Sequence, residues 1–439
     1  MQPLVVGVPG PWADRDALFA AVMQAGMPPR FMLAGLVFME VGTKQGCTVD
    51  FYPANKEIGQ IMAQRSGGTI ERALMQQISK NQSVVYLVSK EHSVAAATAM
   101  VRAVDFLLEI GGFAVSVEST GMAVHPDKWR ALARRNTAVS AMEALVTLVG
   151  GEDECYSCGM HNLGLPDCAV PTAGMEERSI PEWITAFNHY QLHGESTPKE
   201  GDVFALSATE PTSTMHLQPY GYEEDNLLNN PFGRWFLKPA PTSGTIKSED
   251  SIDEPVFVGV KKDSEDMAQA RRDAQQTLSR LLDFHKEPHE YGMALFKVHL
   301  VDGTESAHMW LRLTETDEHT VTGQCFELPA AFTRITLESV LTFPHHEVED
   351  WCIRKAGLLV GGFTTRFQRD RLDETQRRKM DLHMGNVAYA PVADLPRDMA
   401  PGSSAPSPAK TAPKPEPKEF AGTPMFDSVS GKKPWWKIW

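Results

Sequence analysis

Phe296-Lys297-Val298-His299-Leu300-Val301-Asp302-Gly303, followed by Met309-Trp310-Leu311-Arg312-Leu313, alternates apolar and polar residues with a period of two on both sides of an Asp-Gly pair. That pattern predicts two antiparallel strands joined by a tight turn. Upstream, Met267, Ala270, Ala274, Leu278, Leu281 and Leu282 recur at three- and four-residue steps. They predict a helix, opened by Ser264 as its cap, with one apolar face for the sheet. Downstream, residues 321–326 and 358–365 read as further strands, and Gly361-Gly362 predicts a bulge or a close backbone approach. Helices beside an antiparallel sheet point to the α+β class.

The N-terminal half has its own pattern. Residues 4–8 are a short apolar run, 14–24 have helical composition, and Ser83–Ser89 is β-branched enough for a buried strand. After Ser93, the residues Ala96, Ala97, Met100, Val101, Val104, Leu107 and Leu108 form one stripe on a helix that should lie on that sheet. Residues 114–117 and 144–149 are further strand candidates, with a helix at 126–134 that Pro126 opens. From there to about Pro239 the chain reads as loop-rich. Residues 239–254 combine proline, small polar residues and acids, and cannot bury a core. The expectation is therefore two domains, 1–238 and 255–372, each a mainly antiparallel or mixed sheet packed with helices. A linker separates them, and a flexible tail follows at 373–439.

Composition narrows the function. The 439 residues are 42% hydrophobic and 22% charged, with a net charge of −14. Such a surface repels phosphate backbones, so nucleic acid is not an expected partner. Met1-Gln2-Pro3 runs straight into Leu4-Val5-Val6 with no basic region, so no secretory signal is read. The most apolar helix candidate contains Arg102 and Asp105, so no membrane span is expected. Six sparse cysteines fit thiols in a reducing cytoplasm better than a disulfide scaffold.

Several groups could carry chemistry. Cys155 and Cys158 have the spacing of a zinc knuckle, with His161 and Cys168 near enough to complete four ligands. The surrounding tract reads better as strand and turn, and no metal or cofactor is expected. His285 and His289 are four apart, but Pro288 should end the helix before they share a face. His345, His346, Glu347, Glu349 and Asp350 form a dense polar cluster that could supply a general base, and His308 beside Trp310 is the most enzyme-like lone histidine. There is no phosphate-cradling loop, dinucleotide fingerprint, nucleophile elbow or His-Glu-x-x-His. Catalytic residues are therefore not assigned.

The tail is the most informative segment. Residues 397–419 are rich in Pro, Ala, Ser and Lys, the composition of an extended spacer. Beyond them lie Lys432, Lys433, Trp435, Trp436, Lys437, Ile438 and Trp439. From Arg397 onward the charge is about +3, against about −17 for the rest. Exposed indole is costly unless it docks. This tip is expected to bind a groove on a protein partner first, an anionic membrane surface second, or the chain's own acidic body.

Residues 255–372 resemble the YegJ-like bacterial domains of unknown function. The likeness rests on the opening helix and on Ala307-His308-Met309-Trp310, Val321-Thr322-Gly323, Val348-Glu349-Asp350-Trp351 and Gly361-Gly362-Phe363-Thr364-Thr365-Arg366. Those domains usually carry Glu-His before the Trp, where this chain has Ala307-His308. Residues 1–238 resemble a second bacterial family of unknown function, through Ser83–Ser89, Gly121-Met122-Ala123-Val124-His125-Pro126 and the run Gly159-Met160-His161-Asn162-Leu163-Gly164-Leu165-Pro166-Asp167. Neither resemblance implies a reaction. The expected function is a non-catalytic binding or adaptor protein. The alternative is an enzyme, possibly a hydrolase, with a site around His308 and the cluster from His345 to Asp350.

Overall fold

The computed structural model describes residues 2–26, 28–207, 211–219, 228–239, 265–286 and 292–391. It is an α+β protein with three sheets. The first contains β1 (Leu4–Gly10), β2 (Phe31–Ala34), β3 (Val37–Glu40), β4 (Gly46–Pro53), β5 (Ser83–Ser89), β6 (Val115–Val117) and β7 (Met122–Val124). They pair in the order β2-β3-β4-β5-β1-β6-β7, antiparallel throughout. Between and after them come α1 (Arg15–Gln24), α2 (Ile58–Arg65), α3 (Arg72–Ile78), α4 (Val94–Glu109), α5 (Pro126–Arg135) and α6 (Ala138–Leu145). The apolar stripe on α4 meets Leu4, Val6, Val8, Val85 and Leu87, and α1, α5 and α6 complete that core. Ser93 caps α4 by accepting from the Ala96 amide at 3.1 Å. On the other face, α2 and α3 cover only part of the sheet, packing on Val84, Ala114 and Ala123.

The stretch expected to be loop-rich holds a second sheet. Its strands are β8 (Thr147–Gly150), β9 (Glu154–Cys158), β10 (Asp167–Pro171), β11 (Val203–Phe204), β12 (Ser213–Gln218) and β13 (Arg234–Pro239), in the order β11-β12-β13-β10-β9-β8. Helix α7 (Ile180–His193) packs on it through Trp183, Ile184 and Phe187. These strands have two to six residues each, and β10 finds its parallel partner β13 far along the chain. Ala144 and Leu145, expected in a strand, instead end α6, and the strand starts at Thr147.

The third sheet follows helices α8 (Glu265–Gln276) and α9 (Leu278–Lys286). Its strands are β14 (Gly292–Asp302), β15 (Glu305–Thr316), β16 (Thr320–Cys325), β17 (Val340–Pro344), β18 (Asp350–Lys355), β19 (Leu358–Gly361) and β20 (Ala388–Tyr389), in the order β17-β16-β15-β14-β18-β19-β20. The expected hairpin forms, with Val298 opposite Met309 and Asp302 opposite Glu305. The single expected helix breaks at Thr277, where the buried Trp351 indole donates to the Ala274 carbonyl and to the Thr277 hydroxyl. The run 358–365 is not all strand. Gly361 and Gly362 take φ of 77° and 68°, and the chain turns there into α10 (Phe363–Arg369).

A further correction concerns residues 373–391, expected within the flexible tail. They fold into α11 (Glu374–Met384) and β20. Asp373 and Gln376 form a capping box, Gly385 ends the helix at φ 63°, and Arg369 holds Asp381 at 2.7 Å. No residue of α11 is buried, so its polar composition disguised it as spacer. Of the expected linker, Pro239 ends β13 and 240–254 lies outside the described residues, as do Ser264, Pro288, His289 and the segment 392–439.

The second and third sheets meet at the β18–β19 turn. Ala356 is buried among Ile184, Ala186 and Phe187, and the His189 Nδ1 donates to its carbonyl at 3.1 Å. Beside it, Lys355 Nζ reaches Glu143 at 2.6 Å, and Arg135 approaches the same carboxylate at 3.3 Å. Burial opposes the charge on Glu143, but Lys355 and Arg135 prevail and hold its carboxyl below the usual 4.5. The pair therefore stabilises the fold above that value and less as pH falls through it. Glu143→Gln is expected to cost about 1–3 kcal/mol at pH 7. In urea titrations the deficit should shrink on acidification below 4.5; a deficit independent of pH contradicts the assignment.

Candidate functional site

Strand register in the third sheet gathers a polar cluster. Lys297 lies opposite both Trp310 and Asp350, and His299 lies opposite His308. The His308 Nδ1 and a Glu349 carboxylate oxygen are 2.5 Å apart, and Arg271 on α8 approaches the other oxygen at 3.6 Å. The His299 and His308 rings are 4.8 Å apart. Asp350 is fully buried and accepts four hydrogen bonds, from the amides of Trp351, Phe363 and Thr364 and from the Thr364 hydroxyl at 2.6 Å. It thereby caps α10, where Gly362 has no side chain to do so.

Electrostatics reflect this crowding. Burial raises the Asp350 carboxyl despite its donors and Lys297. Burial likewise lowers the Lys297 ammonium, against the pull of Asp350 and Glu349. Lys297 Nζ sits 3.5 Å from the Thr364 hydroxyl and 5.7 Å from the centre of the Trp310 ring. Burial also holds the His308 imidazole below its ordinary value although Glu349 attracts its charged form. Its Nε2 is buried with no partner among the described residues.

The structure thus pairs His308 with Glu349, sets Asp350 opposite Lys297 on the neighbouring strand, and separates the rest of the expected cluster. His345, His346 and Glu347 form one turn of 3-10 helix, pinned by Gln275, which donates to the carbonyls of His345 and Val348. His346 and Glu347 face solvent. Lys297, Arg271 and Thr364 were not anticipated. Nothing local marks them, because Lys297 meets its partner Asp350 only through the pairing of β14 with β18.

The cysteine tract is a strand. Cys155 and Cys158, three apart on β9, point to opposite faces, and Cys155 joins Cys168 in the core beneath α7. Burial pushes the Cys158 thiol up to about 12. Among the described residues no three His, Cys, Asp or Glu side chains are arranged to hold a metal ion. His161 is fully buried, and neither ring nitrogen has a hydrogen-bond partner among the described residues. The neighbouring His92 Nδ1 donates to the His161 carbonyl at 2.8 Å. Asp167 accepts from Met160, Ser157 and Asn230, and burial pushes it up to about 7. His285 lies at the end of α9, and Pro288 and His289 lie outside the described residues.

A separate surface feature lies on the half-covered face of the first sheet. A groove of about 560 Å3 is lined by Pro3, Val5, Asp50, Tyr52, Val84, Tyr86 and Val88 among others. Gly7 faces Tyr86 across β1 and β5, and a methyl group there would stand 2.7 Å from the tyrosine ring. Tyr86 therefore lies flat over Gly7 and meets Tyr52 edge-on at 5.4 Å. Burial, then the Glu118 carboxylate, raises the Tyr86 hydroxyl. Tyr52 is 54% exposed. The tip residues Lys432, Lys433, Trp435, Trp436, Lys437, Ile438 and Trp439 lie outside the described residues.

Burial lowers His161 to about 4, so it stays neutral in the fold but charges near 6.5 when unfolded. Its contribution is complete above 6.5 and is lost as pH falls to 4, about 3 kcal/mol at about 1.4 per pH unit. His161→Leu should flatten the acid side of the stability profile between those limits. A variant whose stability falls with pH as steeply as the wild type contradicts this.

Residues 264–386 match a family described as an uncharacterized protein conserved in bacteria (DUF2314), and the polar cluster from Arg271 to Thr364 lies wholly inside that match. No curated protein and no solved structure matches the chain.

Proposed function

We propose that the protein works by binding rather than by catalysis, as an adaptor that Lys432, Lys433, Trp435, Trp436, Lys437, Ile438 and Trp439 attach to a groove on a protein partner. The observation that carries this reading is how the best catalytic candidates are engaged. Asp350 is consumed in capping α10, and Glu349 bridges His308 and Arg271, so neither carboxylate is left to act on a substrate. Meanwhile the Tyr52–Tyr86 groove, a largely apolar concave surface, contains no base or nucleophile beyond Asp50 and its tyrosines, as a protein-binding surface would. The proposed setting is the cytoplasm, in keeping with six unpaired cysteines and with the absence, among described residues, of a helix long and apolar enough to cross a membrane. Anionic lipid ranks second, because stable anchoring generally needs two signals.

One observation favours the enzyme reading. A histidine oriented by a carboxylate, its second nitrogen unbonded, is the base arrangement of many hydrolases. Activity lost in His308→Gln with the fold intact would support it.

The binding reading is tested in the full chain. Burying one indole contributes a few kcal/mol at about 25 cal/mol per Å2, part of which ordering the segment offsets. Trp435→Ala with Trp436→Ala should therefore weaken retention of co-purifying protein at least about tenfold, with unchanged melting. Equal recovery of the same proteins by wild type and variant contradicts the reading.

A further inference from the structure

We propose that the tip has a resting seat on its own chain: residues 431–439 dock in cis in the groove of Tyr52 and Tyr86, so that partner capture competes with self-docking. This rests on the reading of the tip as a docking element.

The groove and the tip match in shape. About 560 Å3 lies within the range of sites that enclose an aromatic ligand, and its walls combine Val5, Val84 and Val88 with two tyrosine rings already set edge to face. An indole entering between them would gain ring contacts on one side and methyl contacts on the other. The seat lies at the margin of the α2–α3 packing, where Val84 is buried and Tyr86 half-buried in that core while Pro3, Val5, Asp50, Tyr52 and Val88 remain at least partly exposed.

Charge matches as well. Asp50 lies opposite Tyr86 in the pairing of β4 with β5, and Glu118 stands near enough to act on the Tyr86 hydroxyl. Arg65 already pairs with Glu118 at 3.2 Å, whereas Asp50, the acid that lines the groove, forms no ion pair among the described residues. Lys432, Lys433 and Lys437 flank the tryptophans that would enter, and the tail is positive where the rest of the chain is strongly negative.

Reach does not limit the contact. The thirty-nine residues 392–430 separate Pro391, the last described residue, from the tip, and fully extended they could span about 130 Å. A folded body of this size has a radius of gyration of only about 21 Å. A tether of this kind presents its tip at an effective concentration approaching millimolar, far above that of a second copy of the protein in dilute solution. This is the reason to assign the seat to the same chain.

The test uses a fluorescently labelled peptide of residues 431–439 and full-length chains, with binding read by polarisation. In the wild type the seat is already occupied, so the peptide should bind weakly. In the full chain carrying Trp435→Ala, Trp436→Ala and Trp439→Ala it should bind at least about tenfold more tightly. Adding Tyr52→Ala and Asp50→Lys, both at exposed positions, should remove that gain without a change in melting. Equal peptide binding by wild type and triple variant, binding by neither, or indifference to Tyr52→Ala and Asp50→Lys overturns the proposal. So does a wild type that elutes as a dimer where the triple variant is a monomer, since the seat would then belong to a second copy. If the tryptophan variants still lose their partner while the peptide ignores the groove, the resting seat is wrong and the docking reading stands.

Discussion

The carbonyl of Ala356, at the tip of the β18–β19 hairpin, accepts a hydrogen bond from the His189 Nδ1 at 3.1 Å, and the turn around it joins two of the three sheets. Ala356 takes φ 43°, a left-handed conformation that a non-glycine residue holds only when its surroundings fix it. Gly357 follows at φ 69°, where a methyl group would strike Val387 at 2.6 Å. The turn is therefore shaped to enter the core beneath α7. Lys355 and Glu143 meet on its flank, and Arg369 reaches Glu195 at 2.6 Å nearby. Position of the third sheet, and of the polar cluster on it, follows from that seat.

Much of the fold was legible because its signals are local. The period-two run through Phe296 and Leu311, the stripe on α4 and the Ser83–Ser89 strand each declare themselves within a dozen residues. The second sheet was not legible, since its strands are short and β10 pairs with β13 across more than sixty intervening residues. α11 was missed for the opposite reason. It is held by a capping box and by Arg369–Asp381 rather than by buried apolar surface, so hydrophobic patterning had nothing to detect. At the site, His308, Glu349 and Asp350 were named from composition, whereas Lys297 and Arg271 emerge only when register and the α8 packing are known.

The polar cluster and the groove illustrate two uses of burial. In the cluster, burial works against charge, and the groups remain because each answers another: Asp350 the α10 amides, Glu349 the His308 ring and Arg271. In the groove, Tyr52 is more than half exposed and Val5 and Val88 are partly exposed beside the buried Val84.

The structural claim beneath all of this is that the Ala356 turn locks the halves of the chain together. Its most direct test is an engineered protease site within residues 240–264, followed by complete cleavage and size-exclusion chromatography under native conditions. The buried turn and the Lys355–Glu143 contact predict that the two fragments elute together at the size of the intact chain. Fragments that separate and remain individually folded would contradict the account.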